Sequence, residues 1–94
     1  MIKSRNLIIN LNRQDLDRFK KKGVINYSDF GAIGDGISDD AVFIRATHAV
    51  ANYYGFNVKA DDDALYIISG AKGSAVISTN TDFGNATFII DDTN

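Results

Sequence analysis

Gly34-Asp35-Gly36-Ile37-Ser38-Asp39-Asp40 decides how the rest of the chain is read. Two glycines bracket an aspartate, a polar cluster follows, and an amphipathic run starts at once and lasts to Gly55. Glycine has no Cβ and holds positive φ cheaply, so Gly34 and Gly36 suit a tight loop. Asp35 between them can accept from nearby backbone N–H groups, as aspartate does in turns. Ser38 or Asp39 can accept from the free N–H groups of a first helical turn. Asp39 and Asp40 also lie where a helix dipole favours negative charge. The stretch therefore reads as a loop that hands the chain into a helix over 39–54. On a wheel of about 100° per residue, Val42, Ala46, Ala49, Val50 and Tyr53 share one face, with Phe43 and Tyr54 at its edge. Arg45, His48 and Asn52 lie away from that stripe and Ile44 sits opposite it. Gly55 is the expected stop.

Upstream, Val24-Ile25-Asn26-Tyr27 reads as a strand entering the loop. Before it, Leu7 to Leu11 is apolar enough for a short strand or extended arm. Asn12, with Asp15 three residues on, opens a short helix over 13–22. Leu16 and Phe19 share its apolar side, Lys20, Lys21 and Lys22 fill its last turn, and Gly23 ends it. Downstream, Phe56 to Ala60 alternates apolar and polar residues and reads as a half-buried strand. Asp61-Asp62-Asp63 is a turn. Three further strand candidates, 64–68, 75–78 and 86–90, begin eleven residues apart and are separated by Gly/Ser/Asn/Asp turns. Short strands at regular spacing suit a sandwich, a barrel or a β-helix, and periodicity alone does not choose among them.

Asp29-Phe30-Gly31-Ala32-Ile33-Gly34-Asp35-Gly36-Ile37-Ser38-Asp39-Asp40 resembles the opening of the pectate-lyase-like proteins, where such a stretch precedes an alanine-rich capping helix and stacked strands. In order of elements the resemblance extends from Val24 to Asp92. It implies a mainly β fold: the N-terminal cap and first coils of a right-handed single-stranded parallel β-helix. Its domain plan would be a leading arm and helix over 1–23, for attachment or docking, and a cap over 24–94 with the motif loop at 29–40. Members include polysaccharide lyases and hydrolases and phage tailspikes or appendages. The function it implies is a structural cap of a larger glycan-binding or glycan-degrading protein, such as a phage tailspike or appendage directed at host-surface polysaccharide. The alternatives are part of a secreted bacterial polysaccharide lyase or glycoside hydrolase, and an oligomerisation module. The expected location is the virion, the extracellular space or the cell surface. Repeat folds need at least about three stacked units, so the 94 residues are expected to be a piece of a longer protein. An unprotected far end would favour self-association, a homotrimer for example.

Composition removes other classes. The chain has no cysteine, hence no disulfide framework and no cysteine-based zinc site. A net charge of −2 gives no footprint for nucleic acid. No run is long and apolar enough to cross a membrane, and Leu7-Ile8-Ile9 is too short for the core of a signal peptide.

Candidate chemistry is sparse. Asp35, Asp39 and Asp40 do not have calcium-loop spacing and no glutamate follows, so turn and cap roles are expected and no metal is assigned. Asp61, Asp62, Asp63, Asp91 and Asp92 are carboxylates of the type that cleave glycosidic bonds. Adjacent strand residues face opposite ways, so neither run offers a facing pair by itself. No catalytic residue and no cofactor is expected within this stretch. His48, the single histidine, is placed on the outer face of its helix. Tyr66 and Phe88 hold equivalent strand positions and read as core. Phe83 sits in a turn and is the aromatic best placed to serve as a platform for sugar.

Overall fold

The structure, a computed structural model, describes residues 13–69 and 75–91. Among these residues two α-helices, α1 (Arg13–Lys22) and α2 (Ala41–Tyr54), accompany six strands: β1 (Val24–Asn26), β2 (Asp35–Asp39), β3 (Asn57–Lys59), β4 (Leu65–Ser69), β5 (Thr81–Asp82) and β6 (Thr87–Asp91). A 3₁₀ turn covers Tyr27–Phe30. Odd and even strands part into two three-stranded sheets, ordered β1-β3-β5 and β2-β4-β6, and every pairing is parallel.

This corrects the expected fold class. The chain is an α/β mixture of two small parallel sheets and two helices, not the mainly β start of a single-stranded parallel β-helix. The helices hold 10 and 14 residues, whereas no strand exceeds 5. The eleven-residue spacing also misled. The candidates at 64–68 and 86–90 form β4 and β6, but Ala75-Val76-Ile77-Ser78 is not a strand and all four residues are exposed. Among the described residues no strand pairs with it. Instead the Asn52 carboxamide takes the partner's role, donating to Val76 O at 2.7 Å and accepting from Ser78 N at 3.0 Å. The register pairs Leu65 with Thr87, so the step between neighbouring strands of this sheet is 22 residues. The anticipated strand at Leu7–Leu11 lies outside the described residues.

Aromatic rings organise the core. Tyr27, Tyr66 and Phe88 form a compact triangle, with centroids 5.2 Å, 5.1 Å and 6.3 Å apart for the pairs Tyr27–Tyr66, Tyr66–Phe88 and Tyr27–Phe88. Ile25, Val50, Val58, Ala51 and Ala60 close around it. Helix α1 docks through Phe19, which is buried, lies 5.8 Å from Phe30 and meets Phe56 edge-on at 6.2 Å. Asp29 receives Arg18 at 3.4 Å and Lys22 at 3.6 Å. Surface pairs of this kind contribute about 0–1 kcal/mol, against roughly 1.5–3 kcal/mol for burying a phenylalanine ring. Phe19 therefore holds the helix, and the ion pairs orient it.

The motif loop explains why β2 and β4 can pair at all. Asp35 lies opposite Leu65 and Asp39 opposite Ile67, so β2 accommodates two more residues than β4 over the same span. The bulge throws Ile37 into solvent, 84% exposed. Asp35 ties it down, accepting from Ile37 N at 2.9 Å and Ser38 N at 2.8 Å. Gly34 and Gly36 supply positive φ, 67° and 75°, and a Cβ at Gly36 would meet Leu65 Cδ2 at 2.5 Å. Helix α2 then starts at Ala41, two residues later than expected. Asp39 Oδ1 accepts from Ala41 N at 3.0 Å. Asp40, at the N-cap position, turns its carboxylate back instead, accepting from Ile33 N at 3.0 Å and Gly34 N at 2.9 Å.

Replacing Asp40 by alanine strands two backbone N–H groups inside the fold. Each unsatisfied buried group costs about 1–3 kcal/mol, so Asp40→Ala is expected to lower unfolding free energy by roughly 2–4 kcal/mol. Gly34→Ala meets the positive-φ penalty of about 1–2 kcal/mol and a contact with Ala64 Cβ at 2.9 Å. Urea titrations of both variants against the parent check these values, and Asp35→Ala, in the exposed part of the bulge, is expected to cost less than Asp40→Ala.

Candidate functional site

The residues singled out in the sequence are brought together by structure, but in structural work. Gly34, Asp35, Gly36, Asp39 and Asp40 form the bulge and the entry to α2. Each carboxylate is committed to backbone groups, Asp39 Oδ1 also accepting from Ser69 N at 3.2 Å. The backbone N–H groups of Ser38 and then Ile37 hold the Asp35 carboxyl below its usual value. Among the described residues no group of three or more acidic or histidine side chains is gathered as a metal would need.

The second acidic run is equally occupied. Asp61 Oδ1 accepts from Ser28 Oγ at 2.6 Å, while Asp61 Oδ2 accepts from Ser28 N at 3.0 Å and from the Tyr66 hydroxyl at 2.8 Å. Asp63 Oδ1 accepts from Asn85 Nδ2 at 2.6 Å. These carboxylates clamp one turn to the next and do not face one another across a cleft. Asp91 closes β6, and Asp92 lies outside the described residues.

His48 is where the sequence reading failed most clearly. It is 1% exposed, not on an outer surface, and its Nε2 lies 2.7 Å from Tyr27 Oη in a buried hydrogen bond. Nδ1 is buried and has no partner among the described residues. The inward face of α2 is Ile44, Thr47, His48 and Ala51, with Val50 and Ala41, whereas Val42 and Tyr53 of the expected stripe are exposed. Two polar residues can sit inward because each is satisfied locally: Thr47 Oγ1 donates to Phe43 O at 2.7 Å, and His48 meets Tyr27. The signal was present as the i, i+3, i+4, i+7 spacing of Ile44, Thr47, His48 and Ala51, hidden by the polarity of the middle pair. Burial pushes the His48 imidazole below its ordinary value and raises the Tyr27 phenol to about 12. Burial also raises the Tyr66 phenol.

Besides a hollow along α1 beside Gln14, Asp17, Arg18 and Lys21, two concavities stand out among the described residues. One is an apolar groove of about 300 Å³ between α2 and the end of the β2-β4-β6 sheet, walled by Ile44, Ile68, Ile77, Phe83, Phe88 and Ile90. Tyr27 and His48 form its floor but turn only carbon toward it, so no acid, base or nucleophile reaches its space. Phe83 is 42% exposed and packs edge-on against Phe88 at 5.3 Å, so it forms part of this wall. The other is a shallow polar trough of about 290 Å³ on the β1-β3-β5 sheet, lined by Asn57, Lys59, Asn80, Thr81 and Asp82. It carries amides, a hydroxyl, one cation and one anion, a set able to hydrogen-bond sugar hydroxyls but lacking the two carboxylates of a glycosidase.

Comparison of the chain with protein-family models, curated proteins and solved structures gives no match. No helix among the described residues is long and apolar enough to cross a membrane.

The His48–Tyr27 pair makes stability depend on pH in a definite direction. With the folded imidazole below its unfolded value of 6.5, the unfolded chain takes up a proton first. Stability is then full above that value and is lost as pH falls from it through the folded value. Urea midpoints measured from about pH 8 down to 5 are expected to fall for the parent and to flatten over that window in His48→Gln. Tyr27→Phe leaves His48 Nε2 unpaired and is expected to cost about 1–3 kcal/mol near neutrality.

Proposed function

We propose that this chain is a non-catalytic structural module that joins further protein through the β6 edge, within a larger glycan-directed assembly. The observation that carries the reading is the contrast between the two edges of the β2-β4-β6 sheet. Strand β2 is blunted by its bulge and by Asp35 and Asp39. Strand β6 pairs with β4 over five residues in unbroken register, and Thr87 to Ile90 carry no charge and no proline. Flat, uncharged edges are templates for pairing, which proteins ordinarily protect. Beside it, Ile77, Phe83, Ile89 and Ile90 expose apolar surface, as a joining face does.

Support for the glycan part is the Asp29–Asp40 resemblance, together with the polar trough of Asn57, Lys59, Asn80 and Asp82. In this reading the assembly is a tailspike or appendage acting at the virion surface or outside the cell, and polysaccharide is met by the larger protein. A secreted lyase or hydrolase is the other setting in which the same module would serve.

The chain, incubated with a panel of bacterial capsular and lipopolysaccharide glycans, is expected to release neither reducing ends nor unsaturated uronic acid products. Turnover by the chain that disappears in Asp61→Asn or Asp82→Asn would overturn the non-catalytic reading.

A further inference from the structure

We infer that the trough on the β1-β3-β5 sheet is a subsite for one uncharged hexopyranose unit of a glycan; this rests on the glycan-directed reading and places one of its contacts on this chain. Strand alternation builds the site. Val58 and Thr81 pair in register and turn inward, buried and half-buried. Asn57 and Lys59 on β3, and Asn80 and Asp82 beside them, therefore face outward and are exposed. Lys59 stands opposite Asp82, and two residues back on each side Asn57 stands beside Asn80. Neighbouring strands lie about 4.8 Å apart and alternate residues about 6.6 Å apart. The four side chains thus mark the corners of a rectangle on the scale of one pyranose ring with its hydroxyls. Val24, half-buried and paired with Asn57, adds an apolar wall for ring C–H groups.

These corners carry side chains that the fold leaves uncommitted. Asn26, Asn52 and Asn85 each spend their carboxamide on another part of the chain. The Asn57 and Asn80 carboxamides have no partner among the described residues, and the Lys59 ammonium makes no ion pair there, Asp82 included. Asp82 accepts from Gly84 N through Oδ1 at 2.9 Å, which leaves Oδ2 to the trough. A carboxamide donates and accepts, an ammonium only donates and a carboxylate only accepts. Hydroxyls answer all three, since each does both. One cation and one anion cancel, so the ligand that fits is neutral. The volume of about 290 Å³ is near the lower bound of small-molecule sites and holds one ring.

The test follows the amide and carboxamide resonances of the full chain by NMR during titration with the methyl glycosides of glucose, galactose and mannose to about 50 mM. At least one is expected to shift the Asn57 and Asn80 carboxamides with a Kd on the order of 1–10 mM, and to leave the Phe83 and Ile90 amides of the apolar groove unmoved. Asn57→Ala and Asn80→Ala are each expected to weaken binding at least about fivefold with the circular dichroism unchanged, since neither side chain is bonded within the fold. Glucuronate and sulfate are the charged probes, and tighter binding of either than of every neutral glycoside overturns the proposal. Neutral-sugar shifts that persist when both asparagines are replaced overturn it as well. Shifts confined to other residues overturn this site and leave the glycan-directed reading standing, whereas no shift with any sugar removes both the site and this chain's own part in that reading.

Discussion

The Asp40 carboxylate is the constraint on which the rest of the fold depends. It is fully buried and accepts from two consecutive backbone N–H groups, Ile33 and Gly34, while its own N–H donates to Ile67 O at 2.8 Å. One residue thereby joins the loop before β2, the start of α2 and the middle of β4. A buried carboxylate is tolerated only when it is paired or hydrogen-bonded, and here backbone donors serve in place of a cation. Because those donors belong to the loop, the loop cannot loosen without exposing the charge or stranding the N–H groups. The conformation of 33–40 is thus set by electrostatics, and the glycines only make it sterically accessible.

From that anchor the aromatic cluster follows. Asp40 places α2 so that Ile44, Thr47, His48 and Ala51 face inward, and His48 meets Tyr27. Tyr27 in turn stands edge-on to Tyr66, whose hydroxyl is held by Asp61. Asp61 also grips Ser28, immediately after Tyr27, so the two tyrosines are fixed at both ring and backbone. Apart from His48 Nδ1, which has no partner among the described residues, the polar groups of this core form a chain of contacts in which removal of one partner exposes the next, and such networks tend to cost more to break than their single bonds suggest.

What could be read from the sequence were features written in local chemistry. Gly34, Asp35 and Gly36 announce a tight loop because few residues accept positive φ, and Gly55 ends α2 at φ 82° as its type suggests. Phe19 as the buried residue of α1, and the equivalence of Tyr66 and Phe88, were also legible. The inward face of α2 was not, because hydropathy ranks Val42 and Ala46 above Thr47 and His48. Only their partners, Phe43 O one turn back in the same helix and Tyr27 Oη across the core, reverse that order. Nor could the sequence show that 75–78 lacks a strand partner, since Ala-Val-Ile-Ser has strand chemistry and only the neighbouring Asn52 side chain reveals what replaces the pairing. That one misread segment turned a 22-residue step into an eleven-residue one, whereas the fold class had been carried by the Asp29–Asp40 resemblance and the helix after it.

In the proposed reading of β6 as a joining edge, this aromatic cluster couples stability to joining. Tyr27 and Tyr66 are each 0% exposed, whereas Phe88 is only half-buried and has Phe83 at its edge. The final layer therefore buries less apolar surface per residue than the layers before it, at about 25 cal/mol per Å². It also leaves the outward backbone groups of β6 to water. A partner that covers Phe88 and pairs β6 binds the folded state and not the unfolded one, and by mass action it stabilises everything beneath. The β2 edge lacks an equivalent flat register, since its bulge and the charges of Asp35 and Asp39 interrupt the line of pairing groups. In the proposed reading, joining is therefore directional: the aspartates that build the loop stand at the β2 edge, and none stands in β6 before Asp91.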